Sequence, residues 1–423
     1  MDCHKETLEN GVRVLLVPMP YLNSVTVMIG VGAGSRFEEA RVQGIAHFTE
    51  HMIFKGTKRR PSPMAVSSEL ESLGAVFNAF TSQEITNYFV KAAAQNLSRA
   101  LDILADVVFK PLLKGTEIEK ERKVILEEQN MVRDDPKDWI LRLFEQVCFG
   151  DQPLGRDTLG TKETVLNIKR QDFLNYIGEW YRTRNITLAI AGKFDRSQAI
   201  GEVLSFLGDL PDRKVGSPIV ARVSSTLPQI LVEERKIDQT HFVLGTWAYN
   251  RSHPKREALE VLTTILGGGT SARLWQEIRE KRGLAYDVRS TWWDYSDVGL
   301  FLVHAGVNSS HLGGSIKVVL DVLGKVREKL VSAEELKRAK EMIGGRILLG
   351  IEPTDGACEY YLEQEVLEGK IETPEEKIRK INAVTAEDVQ KVAQELFVEN
   401  GLNLAVIGPN PDSDRLHTLL KFS

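Results

Sequence analysis

The chain has 423 residues, 42% of them hydrophobic and 27% charged, and a formal net charge of -5. That length is long for one core, so two domains are expected, and the balance of residue types excludes a disordered or fibrous chain. The acidic excess leaves nothing to displace counterions from phosphates, which excludes nucleic acid as a partner, while Cys3, Cys148 and Cys358, without C-x-x-C spacing, exclude a disulfide framework and a thiolate zinc site.

The N-terminal stretch "MDCHKETLENGVRVLLVPMP" runs almost directly into an alternating strand pattern, with no basic segment followed by an apolar one. No cleavable leader is therefore expected. No run approaches 18 uninterrupted apolar residues, so neither secretion nor a membrane span is expected. With cysteine so sparse, the expected location is the reducing cytoplasm.

Next comes "GIAHFTEHMIFKGT", where Ile45, Phe48 and Met52 recur at helical spacing and Gly56 is a stop signal. On such a helix His47 and His51 project from the same side one turn apart, a spacing that lets two imidazoles grip one Zn²⁺. Glu50 lies beside them. The order H-x-x-E-H inverts the commoner H-E-x-x-H zinc helix. A glutamate so placed suits a general base that takes a proton from water whose pKa a metal has lowered to about 7, the chemistry of amide hydrolysis. The bland alternative is a surface helix with three solvated polar residues, and a catalytic metal would need a third ligand.

From Ser67 a helix pattern ends at Gly74, and "VFNAFTSQEIT" follows as a strand beside the metal helix. The run "TEIEKERKVILEEQNMV" is helical, with Glu121 and Glu128 seven residues apart and within about 20° on the wheel, and Glu127 turned away by about 100°. Spacing alone does not choose among these carboxylates, and a solvated acidic face is the ordinary reading of such a helix.

The remainder repeats what has gone before. "NIKRQDFLNYIGEWYRTRNITLAIAGKF" from Asn167 matches "NAVTAEDVQKVAQELFVENGLNLAVIGP" from Asn382, and the segment from Ser67 matches the one from Trp275. Two copies of one α+β domain explain this better than two unrelated domains. The seam falls in "GDLPDRKVGSPIVARVSSTLPQ", with the boundary near residue 217, giving domains 1–216 and 217–423. The second copy lacks H-x-x-E-H and carries "GGGTSARLWQEIREKRGLAYDVRS", whose three glycines, Gly267 to Gly269, read as a turn after a helix.

"GIAHFTEHMIFKGT", "NAFTSQEITNYF" and "EKERKVILEE" together resemble the M16 (pitrilysin-like) metallopeptidases, the family of insulin-degrading enzyme and the mitochondrial processing peptidase. The resemblance covers nearly the whole chain. It implies two LuxS/MPP-like metallohydrolase domains, each a mainly antiparallel sheet covered by helices. It also implies one Zn²⁺ per chain held by His47, His51 and Glu128, with Glu50 as base and Glu121 orienting the site. In similar enzymes an Arg and a Tyr from the second domain reach the zinc site, here Arg279 and Tyr286, and peptide substrate is held by strand addition at Asn78, Ala79 and Phe80. The short two-domain form implies a homodimeric chamber for unfolded peptides, with one half of a heterodimer and a non-catalytic core subunit of a respiratory complex as alternatives. One departure is Thr49, where the family usually has an apolar residue.

Overall fold

The computed structural model describes residues 2–212, 216, 219–223, 228–409 and 411–422. It holds two compact units, Met1–Asn130 with Arg156–Ile219 and Leu348–Pro374, and Met131–Gly155 with Val220–Ile347 and Glu375–Ser423. The units alternate along the chain, so one cut at 216/217 does not separate them; residue 217 itself lies outside the described residues.

The first unit is built on six strands, β1 (His4–Thr7), β2 (Arg13–Pro18), β3 (Ser24–Val31), β4 (Val76–Thr81), β5 (Thr86–Ala93) and β6 (Ile186–Gly192). Their order is β1-β2-β6-β3-β5-β4, and only β2 and β6 run parallel. The central strands are buried along nearly their whole length, as β3 "SVTVMIGV" and β6 "ITLAIAG" show. Such unbroken apolar runs need cover on both faces of a sheet. Val25, Val27, Ile29 and Val31 face the main core, where the helix Leu97–Phe109 contributes Leu101, Leu104 and Val108. Leu15, Val17, Met28 and Ala189 face the other way, against Cys358, Tyr361 and Leu362 of the helix Thr354–Glu368.

The second unit repeats this plan with β7 (Gln229–Glu234), β8 (Gln239–Ala248), β9 (Ala285–Asp294), β10 (Gly299–Asn308) and β11 (Leu402–Gly408) in the order β7-β11-β8-β10-β9, with only β7 and β11 parallel. One face carries Phe242, Leu244, Phe301 and Val303 into the larger core. Val243, Leu300, Leu302 and Ile407 meet Ile140, Leu143, Phe144 and Phe149 of the helix Pro136–Phe149. Both sheets are mainly antiparallel and helix-covered, as the α+β reading requires.

The covering helices are exchanged: Pro136–Phe149 precedes the seam yet packs in the second unit, and Thr354–Glu368 follows it yet packs in the first. Each exchanged helix seats a side chain over a glycine of the receiving sheet. A Cβ at Gly30 would fall 2.5 Å from Leu362 Cδ2, and one at Gly245 would fall 2.5 Å from Phe144 Cζ. Glycine at these strand positions admits the close approach of the helix. No helix of the described residues is long and apolar enough to cross a membrane.

Candidate metal centre

The helix Ile45–Ile53 turns Ile45, Ala46, Phe48, Met52 and Ile53 into the core, Phe48 meeting the Phe173 ring edge-on at 4.9 Å. The opposite side is left with His47, Glu50 and His51. Gly44, at the N-terminal cap, has no side chain to hold the free amides, and at φ +92° a Cβ there would fall 2.7 Å from the Leu159 carbonyl oxygen. The cap comes instead from Glu38, 3% exposed, which accepts from the Gly44 and Ala46 amides at 2.8 and 2.7 Å. Burial pushes the Glu38 carboxyl up to about 8, against the pull of those two amides and of Arg156.

The helix Gly115–Asp134 lies on its buried face through Ile118, Arg122 and Ile125. Arg122 fixes its rotation by donating to the carbonyls of Val165 and Ile168. Gln129 donates to the carbonyls of Leu159 and Gly160, 2.9 and 3.0 Å away, the same turn that closes on Gly44. Both helices are therefore anchored to one loop.

The result brings His47, His51 and Glu128 together, with one ligand atom from each within 4.8 Å of the others. The two Nε2 atoms lie 3.1 Å apart, and each is 3.6 Å from a Glu128 oxygen. Tetrahedral ligands at about 2.0–2.1 Å from a zinc ion stand roughly 3.3 Å from one another, so the donor set and its spacing fit Zn²⁺. Glu127, one residue from Glu128, is not in the group.

Glu121 reaches His51 Nδ1 at 2.8 Å and accepts from Lys55 at 2.5 Å. With the carboxylate on Nδ1, that nitrogen carries the proton and the Nε2 lone pair faces the trio. Burial works against charge on both partners, but the His51 bond and Lys55 outweigh it and hold Glu121 below the usual carboxylate range. For His51, burial is likewise outweighed by Glu121, Glu50 and Glu128, and its pKa is raised. Burial raises Glu50, opposed by the Thr81 hydroxyl donating to its Oε2 at 2.6 Å, and burial raises Glu128 as well. Carboxylates outnumber cations around the trio, an imbalance that a dication relieves.

β4 forms the edge of its sheet, pairing with β5 alone among the described residues. Asn78 is exposed and Ala79 and Phe80 are half-buried along it, and Thr81 ends the strand at Glu50. In the second unit the Arg279 guanidinium stacks between the rings of Trp275 and Tyr286, 4.3 and 4.7 Å from their centroids, and donates to the Tyr286 carbonyl. Tyr286 is 71% exposed. Thr49 is fully buried, and its hydroxyl has no hydrogen-bond partner among the described residues.

Sequence reasoning missed Glu38, Lys55, Thr81, Gln129 and Trp275. Lys55, one helical turn beyond His51, carries the one signal that spacing could have revealed.

Residues 13–162 match the family model for insulinase, peptidase family M16, and residues 167–343 match that for the peptidase M16 inactive domain. An uncharacterised zinc protease of Streptomyces coelicolor is 34% identical, covering 98% of this chain and 91% of its own. The uncharacterised zinc protease YmxG of Bacillus subtilis is 32% identical over 96% of this chain and 98% of its own. A crystal structure of a protease from Helicobacter pylori shares the fold, with a TM-score of 0.90 at 22% identity, over 96% of this chain and 99% of that one. Two family models spanning most of the chain, and near full-length relatives named as zinc proteases, make one conclusion plain: this chain belongs to the M16 peptidase family.

Proposed function

We propose that the chain is a zinc-dependent endopeptidase acting on unfolded peptides, with His47, His51 and Glu128 as the ligands of one Zn²⁺. The convergence of their three ligand atoms within 4.8 Å carries this reading. Bound there, the metal would supply a Lewis acid that lowers the pKa of water and polarises the scissile carbonyl. Glu50 takes the proton of the attacking water and passes it to the leaving amine, and the Thr81 hydroxyl holds its carboxylate in place. Glu121 keeps His51 in the tautomer that presents Nε2.

The open edge of β4 at Asn78, Ala79 and Phe80 pairs with the extended backbone of the substrate, a mode that reads shape more than side chains and gives broad specificity. Arg279 and Tyr286, assigned by family resemblance, donate to the carbonyl oxygen as it gains charge. Two copies of the chain form the working enclosure, in the cytoplasm.

The test is Glu50→Gln against wild type, with zinc measured by elemental analysis and cleavage of a mixed peptide pool by mass spectrometry. One zinc per chain is expected in both, with turnover in the variant lower by about 10²–10⁴-fold. A zinc-loaded wild type that cleaves nothing overturns the peptidase reading in favour of a core-subunit role, and cleavage only after a second, different chain is added overturns the homodimer.

A further inference from the structure

The duplication gives the metal centre a counterpart inside the second unit. The helix Arg256–Gly267 follows β8 as Ile45–Ile53 follows β3, and each leads into a Gly-Thr pair, Gly269-Thr270 and Gly56-Thr57. Set in register on those pairs, Glu260, Thr263 and Thr264 occupy the positions of His47, Glu50 and His51. The long helices Ala333–Gly350 and Gly115–Asp134 correspond in the same way. Set in register on their buried Ile343 and Ile125, they place Arg346 where Glu128 stands.

The side chains bear out this register, because Glu260, Thr263, Thr264 and Arg346 together line a cavity of about 430 Å³, walled also by Ser290 and Trp292 of β9. That size lies within the roughly 300–1,000 Å³ usual for ligand sites. A guanidinium in place of the third metal ligand repels a cation, so the cavity is not a second metal site.

Its charges show what it would accept. Glu260 is neutralised by Lys377 at 2.9 Å, and Asp294, also on the wall, by Arg251 at 3.1 Å. Arg346 donates to the Gly268 carbonyl at 2.7 Å and has no carboxylate partner among the described residues. A guanidinium without a carboxylate partner suits a carboxylate, which an arginine fork binds bidentately. Trp292, Ile343 and Ile347 add an apolar wall beside them.

We propose that this cavity is a non-catalytic binding site for the carboxylate of an apolar terminal group, anchored on Arg346. Either a peptide C-terminus or a free apolar carboxylic acid presents that chemistry. The site lies wholly within the second unit and does not depend on the metal reading.

The test is calorimetric titration of the full chain after chelator treatment, so that no carboxylate is captured by a metal. The probes are N-acetyl-leucine, N-acetyl-leucinamide, 4-methylpentanoate and a hexapeptide ending in leucine. Both the acetylated acid and the hexapeptide are expected to bind, with the amide weaker by about ten-fold or more, the loss of a charge-assisted pair. Arg346→Gln should abolish the difference between acid and amide, and Arg346→Lys should restore part of it. Comparable binding of the hexapeptide and 4-methylpentanoate identifies a free acid as the source, and much tighter hexapeptide binding identifies a peptide end. Equal binding of acid and amide, binding untouched by Arg346→Gln, or no binding by any probe overturns the proposal. The acid-to-amide comparison needs no variant and so stands even if a substitution disturbs folding.

Discussion

Glu38→Gln tests whether the ligand helix is held from a distance by a protonated carboxyl. The folded chain keeps the Glu38 proton up to about pH 8, while the unfolded chain releases it near 4.5. In between, the folded state carries one extra proton. The stability that proton contributes is fully present below about pH 4.5 and is lost as pH rises through 8, at about 1.4 kcal/mol per pH unit. Glutamine keeps the shape but cannot ionise, and its amide turns one of the two acceptors into a donor. One of the Gly44 and Ala46 amides then loses its partner, which costs about 1–3 kcal/mol at any pH. At pH 5 the variant should be less stable than wild type by that amount, with the gap closing and then reversing by pH 8. Urea unfolding at four pH values, followed by hydrogen exchange in peptides spanning Phe37–Ile53, reads the gap directly. A gap constant to within about 0.5 kcal/mol between pH 5 and 8 refutes the assignment.

Glu50 is raised by burial and lowered by its bond from Thr81. The acidic limb of kcat/KM, where the base gains its proton and activity falls, should therefore lie above the ordinary carboxylate value, and Thr81→Val should move it to still higher pH; an unmoved limb means that Thr81 does not tune the base. Thr49→Val removes a buried hydroxyl that bonds nothing described and should raise stability by about 1 kcal/mol in thermal unfolding, with cleavage unchanged. Gly245→Ala sets a Cβ 2.3 Å from the Phe301 carbonyl oxygen and 2.5 Å from Phe144, which should lower stability by about 1–3 kcal/mol in urea unfolding.

The α+β architecture and the ligand helix were legible because their signals are local. The short apolar run Val14–Val17 inside Arg13–Pro18 and the 3.6-residue recurrence of Ile45, Phe48 and Met52 each need only a short window of sequence. Which of Glu121 and Glu128 meets both histidine Nε2 atoms was not legible from spacing, since both share one helix face. What distinguishes them is depth, with Glu121 sunk against His51 and Lys55 and Glu128 meeting both Nε2 atoms. The cap on the ligand helix escaped notice because capping rules look immediately before the first turn, whereas Glu38 lies six residues upstream of Gly44. The exchanged helices escaped notice for a different reason. The apolar stripe of Pro136–Phe149 announces that something covers it, but an amphipathic pattern does not say which sheet.

That exchange constrains how the chain comes into being. While residues 354–368 are still unsynthesised, Leu15, Val17, Met28 and Ala189 lack the surface that buries them, so a nascent first half emerges with a sticky flank. The second sheet waits longer still for its interior strand Leu402–Gly408. Nicking the chain at the seam, once folded, would leave two fragments that each hold a piece the other needs, and they should stay associated where two self-sufficient domains would drift apart.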